Sequence, residues 1–238
     1  MERAACQRVG GVGVKHYVLK RPMSETFPIG VLLTIVGGYF DAYTYIARGG
    51  VFANAQTGNI VLFGIHLAEG HWDRALSYFI PILAFVLGIF TAELVHKIET
   101  KTPLHWRQLV IALEILTVVA AGFLPESSDG LYSFNMAANV IISFICALQV
   151  QTFRKIHGIT CATTMCTGNL RSGTDLLMRY TSTKNKQDLK DGLKYYFINV
   201  IFLLGAVISV FLTQAFGGVS VLFCLFPLVL VFVLMFIK

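Results

Sequence analysis

Apolar residues run along the chain in six stretches close to the roughly 20 residues an α-helix needs to cross a bilayer. They are Pro28–Ala47, Ala75–Val95, Leu109–Leu124, Leu131–Val150, Tyr195–Phe216 and Val219–Ile237. The third is short and extends naturally back to Trp106. Pro28 falls at a helix start, where its missing N–H costs little, and Pro125 follows the third run as a stop signal. Pro227 lies inside the last run and predicts a kink there. Residues 1–27 have no apolar run and carry Arg3, Arg8, Lys15, Lys20 and Arg21. They read as a basic cytoplasmic tail with no cleavable signal peptide.

Two segments break the pattern, Val51–Gly70 and Thr160–Tyr180. Each is apolar at one end and polar near the middle, and each contains Thr-Gly-Asn, at Thr57–Asn59 and Thr167–Asn169. Glycine weakens a helix interior by about 1 kcal/mol against alanine, whereas Thr and Asn suit a helix start because their side chains accept bonds from its free N–H groups. Each segment therefore predicts an extended lead-in followed by a short helix beginning near Thr-Gly-Asn, with the Thr and Asn side chains as caps. The two motifs lie 110 residues apart, an offset that also pairs Asp41 with Gln151. Leu87-Gly88 resembles Leu204-Gly205 after an insertion of seven residues. Each half reads as span, interrupted segment, span, span, an organisation common among transporters.

Composition agrees with a membrane location. Hydrophobic residues make up 55% of the 238 residues and charged residues 13%, with mean hydropathy +0.69. Soluble domains carry about a quarter charged residues, so this chain has too few to cover a soluble surface, and it is far too apolar for disorder. Five cysteines, mostly in apolar stretches, do not make a secreted disulfide scaffold.

The placement of the basic residues selects a topology, because Lys and Arg gather on the cytoplasmic side. If both interrupted segments cross, the eight-span chain has ten Lys and Arg inside and six outside, leaving aside Arg171, Arg179 and Lys194, which sit within or beside segments. If both are re-entrant, the six-span chain has fourteen inside, and only Arg48 and Arg74 outside with the acidic loop of Glu126 and Asp129. The expected fold class is thus an all-α membrane protein of about six transmembrane helices plus two re-entrant half-helices, in an inverted 3+3 repeat. Its parts are the tail 1–27, a first membrane repeat 28–124, an external loop 125–131 and a second repeat 132–238. N- and C-termini fall in the cytoplasm, and the chain in the cell (inner) membrane. Irregular backbone at membrane depth is tolerated where it lines a cavity or is buried in protein. Two half-helices pointing their N-termini at one midplane site would favour anions or polar oxygen acceptors.

The candidate substrate-binding residues are Asp41, Asn54, Gln56, Thr57, Gly58, Asn59, Glu114, Gln151, Thr167, Gly168, Asn169 and Arg171. Ionisable groups inside a membrane are costly and need a reason. Asp41 reads either as a proton or cation site or as an interfacial carboxylate paired with Arg48. Glu114, deeper in its run, is costly to ionise and could exchange protons, or it is a hydrogen-bonded structural group. Arg171 could bind an anion on the first turn of a half-helix, or pair with Asp175 at i,i+4. Cys161 and Cys166 are not spaced as metal ligands, so no metal is expected, and no motif asks for a cofactor. The basic pI of 9.1 comes from cytoplasmic loops and suits anionic lipid heads better than nucleic acid. The expected partners are membrane lipids and an unknown small solute, anionic or polar. A homodimer is compatible with six short spans that enclose little volume.

The stretch Gly37–Gly64, GGYFDAYTYIARGGVFANAQTGNIVLFG, resembles the signature of the bacterial YoaK-like family of uncharacterised integral membrane proteins. The resemblance is carried by Gly38, Phe40-Asp41-Ala42, Gly49–Phe52, Thr57–Asn59 and Gly64, with the second Thr-Gly-Asn following the same habit. Gln56 stands where family members often have Met, which makes this lead-in more polar. The resemblance implies membrane location and fold. The preferred function is a small-solute transporter or channel. The alternatives are an intramembrane enzyme acting on a lipid-like substrate, for which no catalytic motif is visible, and a non-transporting scaffold or sensor subunit.

Overall fold

The computed structural model describes residues 23–98, 105–127, 133–156 and 158–237, and almost all of them are helical. Most of the predicted tail and the loop positions Lys101 and Asp129 lie outside the described residues. Eight α-helices follow in order: α1 (Phe27–Ala47), α2 (Gln56–Ala68), α3 (Trp72–Ile98), α4 (Trp106–Gly122), α5 (Phe134–Thr152), α6 (Cys166–Thr183), α7 (Lys186–Phe216) and α8 (Leu225–Leu234). Four segments, Phe27–Ala47, Trp72–Lys97, Phe134–Thr152 and Lys186–Leu234, are long and apolar enough to cross a membrane. The chain is a helical, apolar protein of membrane character.

Local chemistry sets the helix ends. Pro28 sits in the first turn of α1. His105 opens α4 with a reciprocal cap, its ring accepting from Arg107 N–H while Gln108 reaches back to the His105 N–H. Ser133 caps α5 through Met136 N–H at 3.1 Å. The kink predicted at Pro227 takes another form. Gly217–Cys224 winds as a 3-10 helix and α8 begins at Leu225, which places Pro227 in a first turn where its N–H would have no partner anyway. A proline that the apolar pattern did not flag, Pro81, lies inside α3. Before α6 the chain makes a small antiparallel hairpin, β1 (Lys155–Ile156) with β2 (Ile159–Thr160).

The helices sort into a centre and a rim. α1 and α5 are mainly buried, and α3 and α7 leave many large apolar side chains exposed, Phe90 and Phe211 among them. A rim of that kind suits contact with lipid. Packing partners come in exchanged pairs. α1 lies against α7 and α5 against α3; α2 lies against α3 and α6 against α7; α4 lies against α5 and α8 against α1. The closest crossings use glycine. A Cβ on Gly205 of α7 would fall on the Ile35 carbonyl of α1, and one on Gly88 of α3 on the Phe144 carbonyl of α5. Small residues at such crossings let helix backbones approach.

Candidate functional site

The two interrupted segments fold alike. Residues 51–55 and 161–165 are non-helical lead-ins, and α2 and α6 begin at Gln56 and Cys166, one residue ahead of each Thr-Gly-Asn. The expected capping is corrected. The residues at the cap are Ala55 and Met165, which make no side-chain cap bond, and Thr57 and Thr167 are exposed in the first turn. The asparagines work in the opposite direction. Asn59 accepts from Phe52 N–H at 3.0 Å and donates to the Phe52 carbonyl at 2.7 Å. Asn169 does the same to Ala162, at 3.3 and 2.8 Å. A primary amide carries one acceptor and a donor side by side, so it meets both backbone groups of a lead-in residue that has no strand beside it. Both asparagines are buried, and the peptide groups they hold would otherwise be costly to leave unpaired.

What closes the start of each helix differs. Asp41, buried on α1, accepts from Asn54 N–H at 2.6 Å and from Ala55 N–H at 3.3 Å, placing a carboxylate at the positive end of α2. Asn54 donates to the Gly37 carbonyl of α1 at 3.0 Å. Gln56 braces the clamp, donating to the Ala53 carbonyl at 2.8 Å and accepting from Asn59 at 2.9 Å. On the other side a neutral amide, Gln149, donates to Thr163 Oγ1 and to the Leu33 carbonyl, each at 3.0 Å. Gln151, the residue matched to Asp41 by the 110-residue offset, instead donates to Glu93.

Arg48 is not the partner of Asp41. It is 1% exposed, and its guanidinium donates to the carbonyls of Leu124 at 3.0 Å and Pro125 at 3.1 Å, to Asn135 Oδ1 at 3.3 Å and to the Tyr43 hydroxyl at 2.8 Å. It also reaches the Ala121 carbonyl in the last turn of α4, at 3.5 Å, where a cation complements the negative end of the helix. Sequence reasoning missed this role, because an arginine directly after an apolar run looks the same whether it faces headgroups or folds inward.

Both lead-ins meet α1 at Gly37, whose carbonyl accepts from Asn54 and where an added Cβ would press on the Thr163 carbonyl. Glu114 is fully buried on α4, and neither carboxyl oxygen has a hydrogen-bond partner. A carboxyl in that position is costly. Arg171 and Thr167 lie exposed on α6, and the structure records no ion pair between Arg171 and Asp175 among the described residues. Arg179 takes Asp188 instead, at 2.9 Å.

A groove of about 410 Å³ opens beside α6, lined by Phe85 and Ile89 of α3, by Gln151 and Arg154 after the core of α5, and by Gly168 and Asn169. Of the candidate residues the structure thus brings Gln151, Gly168 and Asn169 to the groove. It gathers Asp41, Asn54, Gln56, Thr57, Gly58 and Asn59 at the start of α2. Arg154 was not foreseen as part of a site. Its one signal was its position three residues after Gln151.

The model of a family described as a protein of unknown function, DUF1275, matches residues 29–235. The chain belongs to that family. No curated protein and no solved structure matches it. The match to DUF1275 spans both lead-ins, both clamps and all of the helices but the first two residues of α1.

Proposed function

We propose that this DUF1275 member is a multi-pass transporter or channel for a small polar or anionic solute, with a site between two Thr-Gly-Asn half-helices. The observation that carries the reading is the duplicated clamp, Asn59 on Phe52 and Asn169 on Ala162. Two re-entrant segments of one design, with exchanged packing partners around them, support an inverted pair of repeats at 28–124 and 132–238. The basic loops support a six-span arrangement in the inner membrane with both termini cytoplasmic. The resemblance to the YoaK-like family belongs to the same reading. In it the solute enters by the groove beside α6, where Arg154 and Gln151 meet it, while Asp41 seals the α2 side. Asp41 and Glu114 are the proton-coupling candidates, and exposed Arg171 tunes charge preference.

The test is flux in proteoliposomes, with small inorganic anions and neutral polyols as probes. The expected result is anion uptake above protein-free liposomes, reduced in Arg154→Gln, in a protein whose Glu69→Cys variant is labelled from outside and whose Lys97→Cys variant is labelled only after permeabilisation. Reversed labelling rejects the six-span arrangement, and absence of flux for every probe rejects transport. The sealed α2 start favours one alternative, a sensor or scaffold that binds solute in the α6 groove alone. Anion binding without flux selects it.

A further inference from the structure

The turn between α2 and α3 carries chemistry that the transport reading does not use. α2 ends in His66-Leu67-Ala68-Glu69-Gly70-His71. Gly70 takes φ +76°, a left-handed conformation that a side chain would strain. His71 N–H then donates to the His66 carbonyl at 2.9 Å, and Gly70 N–H to the Leu67 carbonyl at 3.2 Å. This double closure of a helix end folds His71 back over the last turn, beside a residue five positions earlier in the chain.

Three donor atoms converge as a result. Glu69 Oε2 stands 3.3 Å from His66 Nδ1 and 3.2 Å from His71 Nδ1, and all three atoms lie within 4.8 Å of one another. His66 Nδ1 is buried and has no hydrogen-bond partner, because its short approach to Glu69 is not aligned for one. The His66 ring is held by stacking on Tyr78 of α3, with centroids 5.5 Å apart and planes 6° apart. Tyr78 is itself buried, so the stack fixes the first ligand on two helices at once. His71 is 65% exposed and has room to swing the remaining distance.

The two separations from Glu69 are those a small tetrahedral cation imposes, and a swing of His71 closes the third. Zinc–nitrogen and zinc–oxygen bonds of about 2.0–2.2 Å at tetrahedral angles set ligand atoms about 3.3 Å apart. Two imidazoles and one carboxylate, with a fourth position open to water, form a ligand set for zinc and its first-row neighbours. Magnesium and calcium prefer sites made of oxygen. We propose that His66, Glu69 and His71 bind a first-row transition-metal cation of the zinc class at the α2–α3 turn. The site is independent of the transport reading. It is a different place from the Cys161 and Cys166 pair that the sequence excluded as ligands.

The test uses the full chain, purified in detergent through a tag without histidine. Co²⁺ supplies a visible absorption band when it binds nitrogen and oxygen at low coordination number, and Zn²⁺ is then used to displace it. The expected result is one Co²⁺ per chain, displaced by Zn²⁺, with a Zn²⁺-dependent rise in Tm. His71→Ala and Glu69→Gln, both at exposed positions, should each weaken Zn²⁺ binding by at least about tenfold while keeping the metal-free Tm. Gly70→Ala, which disturbs the backbone closure without touching a ligand, should weaken it as well. Absence of a Co²⁺ band, or equal Zn²⁺ affinity in the unsubstituted chain and in both His71→Ala and Glu69→Gln, overturns the proposal.

Discussion

The segments Val51–Ala68 and Cys161–Thr183 share a backbone plan and differ in what they present. In both, an asparagine two residues into Thr-Gly-Asn reaches back seven residues to hold a peptide group of the lead-in. Burial follows the same order, with positions 51, 53, 54 and 59 buried in one and 161, 163, 164 and 169 in the other. Beyond that the two part. α2 exposes Ile60, Val61 and Ile65, an apolar face, and its start is filled by Asp41. α6 exposes Thr167, Arg171, Thr174 and Asp175, a polar face, and its start opens on a groove that holds Arg154. The difference separates two jobs that the repeated motif had merged. The asparagine makes the shape, and the residues around it decide what the shape is for.

The comparison can be broken at its common element first. Asn59→Ala and Asn169→Ala each leave a part-buried backbone N–H and C=O unpaired, and each should cost about 1–3 kcal/mol in denaturant unfolding in detergent. A loss confined to Asn59→Ala would mean that the second clamp is incidental. A somewhat larger loss at Asn59 fits, since Gln56 binds that amide as well. The next effect tests the exchanged crossings. Gly88→Ala and Gly205→Ala each press a methyl onto a carbonyl of the facing helix. Each should cost about 1–3 kcal/mol, and unequal losses would set the two crossings apart. The smallest effect probes the difference itself. Asp41→Asn keeps an acceptor for Asn54 N–H but removes the charge at the start of α2. It should cost about 1 kcal/mol of stability, and it makes the first segment chemically like the second.

Much of the architecture is legible in the sequence, because the bilayer allows so few solutions. The first four apolar runs became helices whose ends moved by only a few residues, the fifth gained nine residues at its start, and both interrupted segments begin their helices one residue before Thr-Gly-Asn. The last run did not, since Gly217-Gly218 lets the chain tighten into a 3-10 helix before α8 restarts. The bonding of the candidate residues was not legible. Thr-Gly-Asn reads as a capping pattern because side chains that satisfy a helix start do so locally. Here the orphan groups belonged to the lead-in, and only the folded path shows that Asn59 and Phe52 face each other. Long-range partners such as Arg48 with the end of α4, or Gln149 with Leu33, leave no periodic trace.

The clamps have a mechanical consequence. Each closes a loop of eight residues on itself, using no atom from a neighbouring helix. Lead-in and first turn are therefore welded into one stiff finger that keeps its form wherever it is carried. Any change of access would have to be taken up at its roots. Among the described residues, on the first finger these are Gly49 and Gly50, at φ +85° and +78°, and Gly70 at the far end of α2; on the second they are Gly158, at φ +85°, and Lys184 at the far end of α6, at φ +55°. The finger with three such joints is the one Asp41 holds shut, and the finger with two already stands beside an open groove.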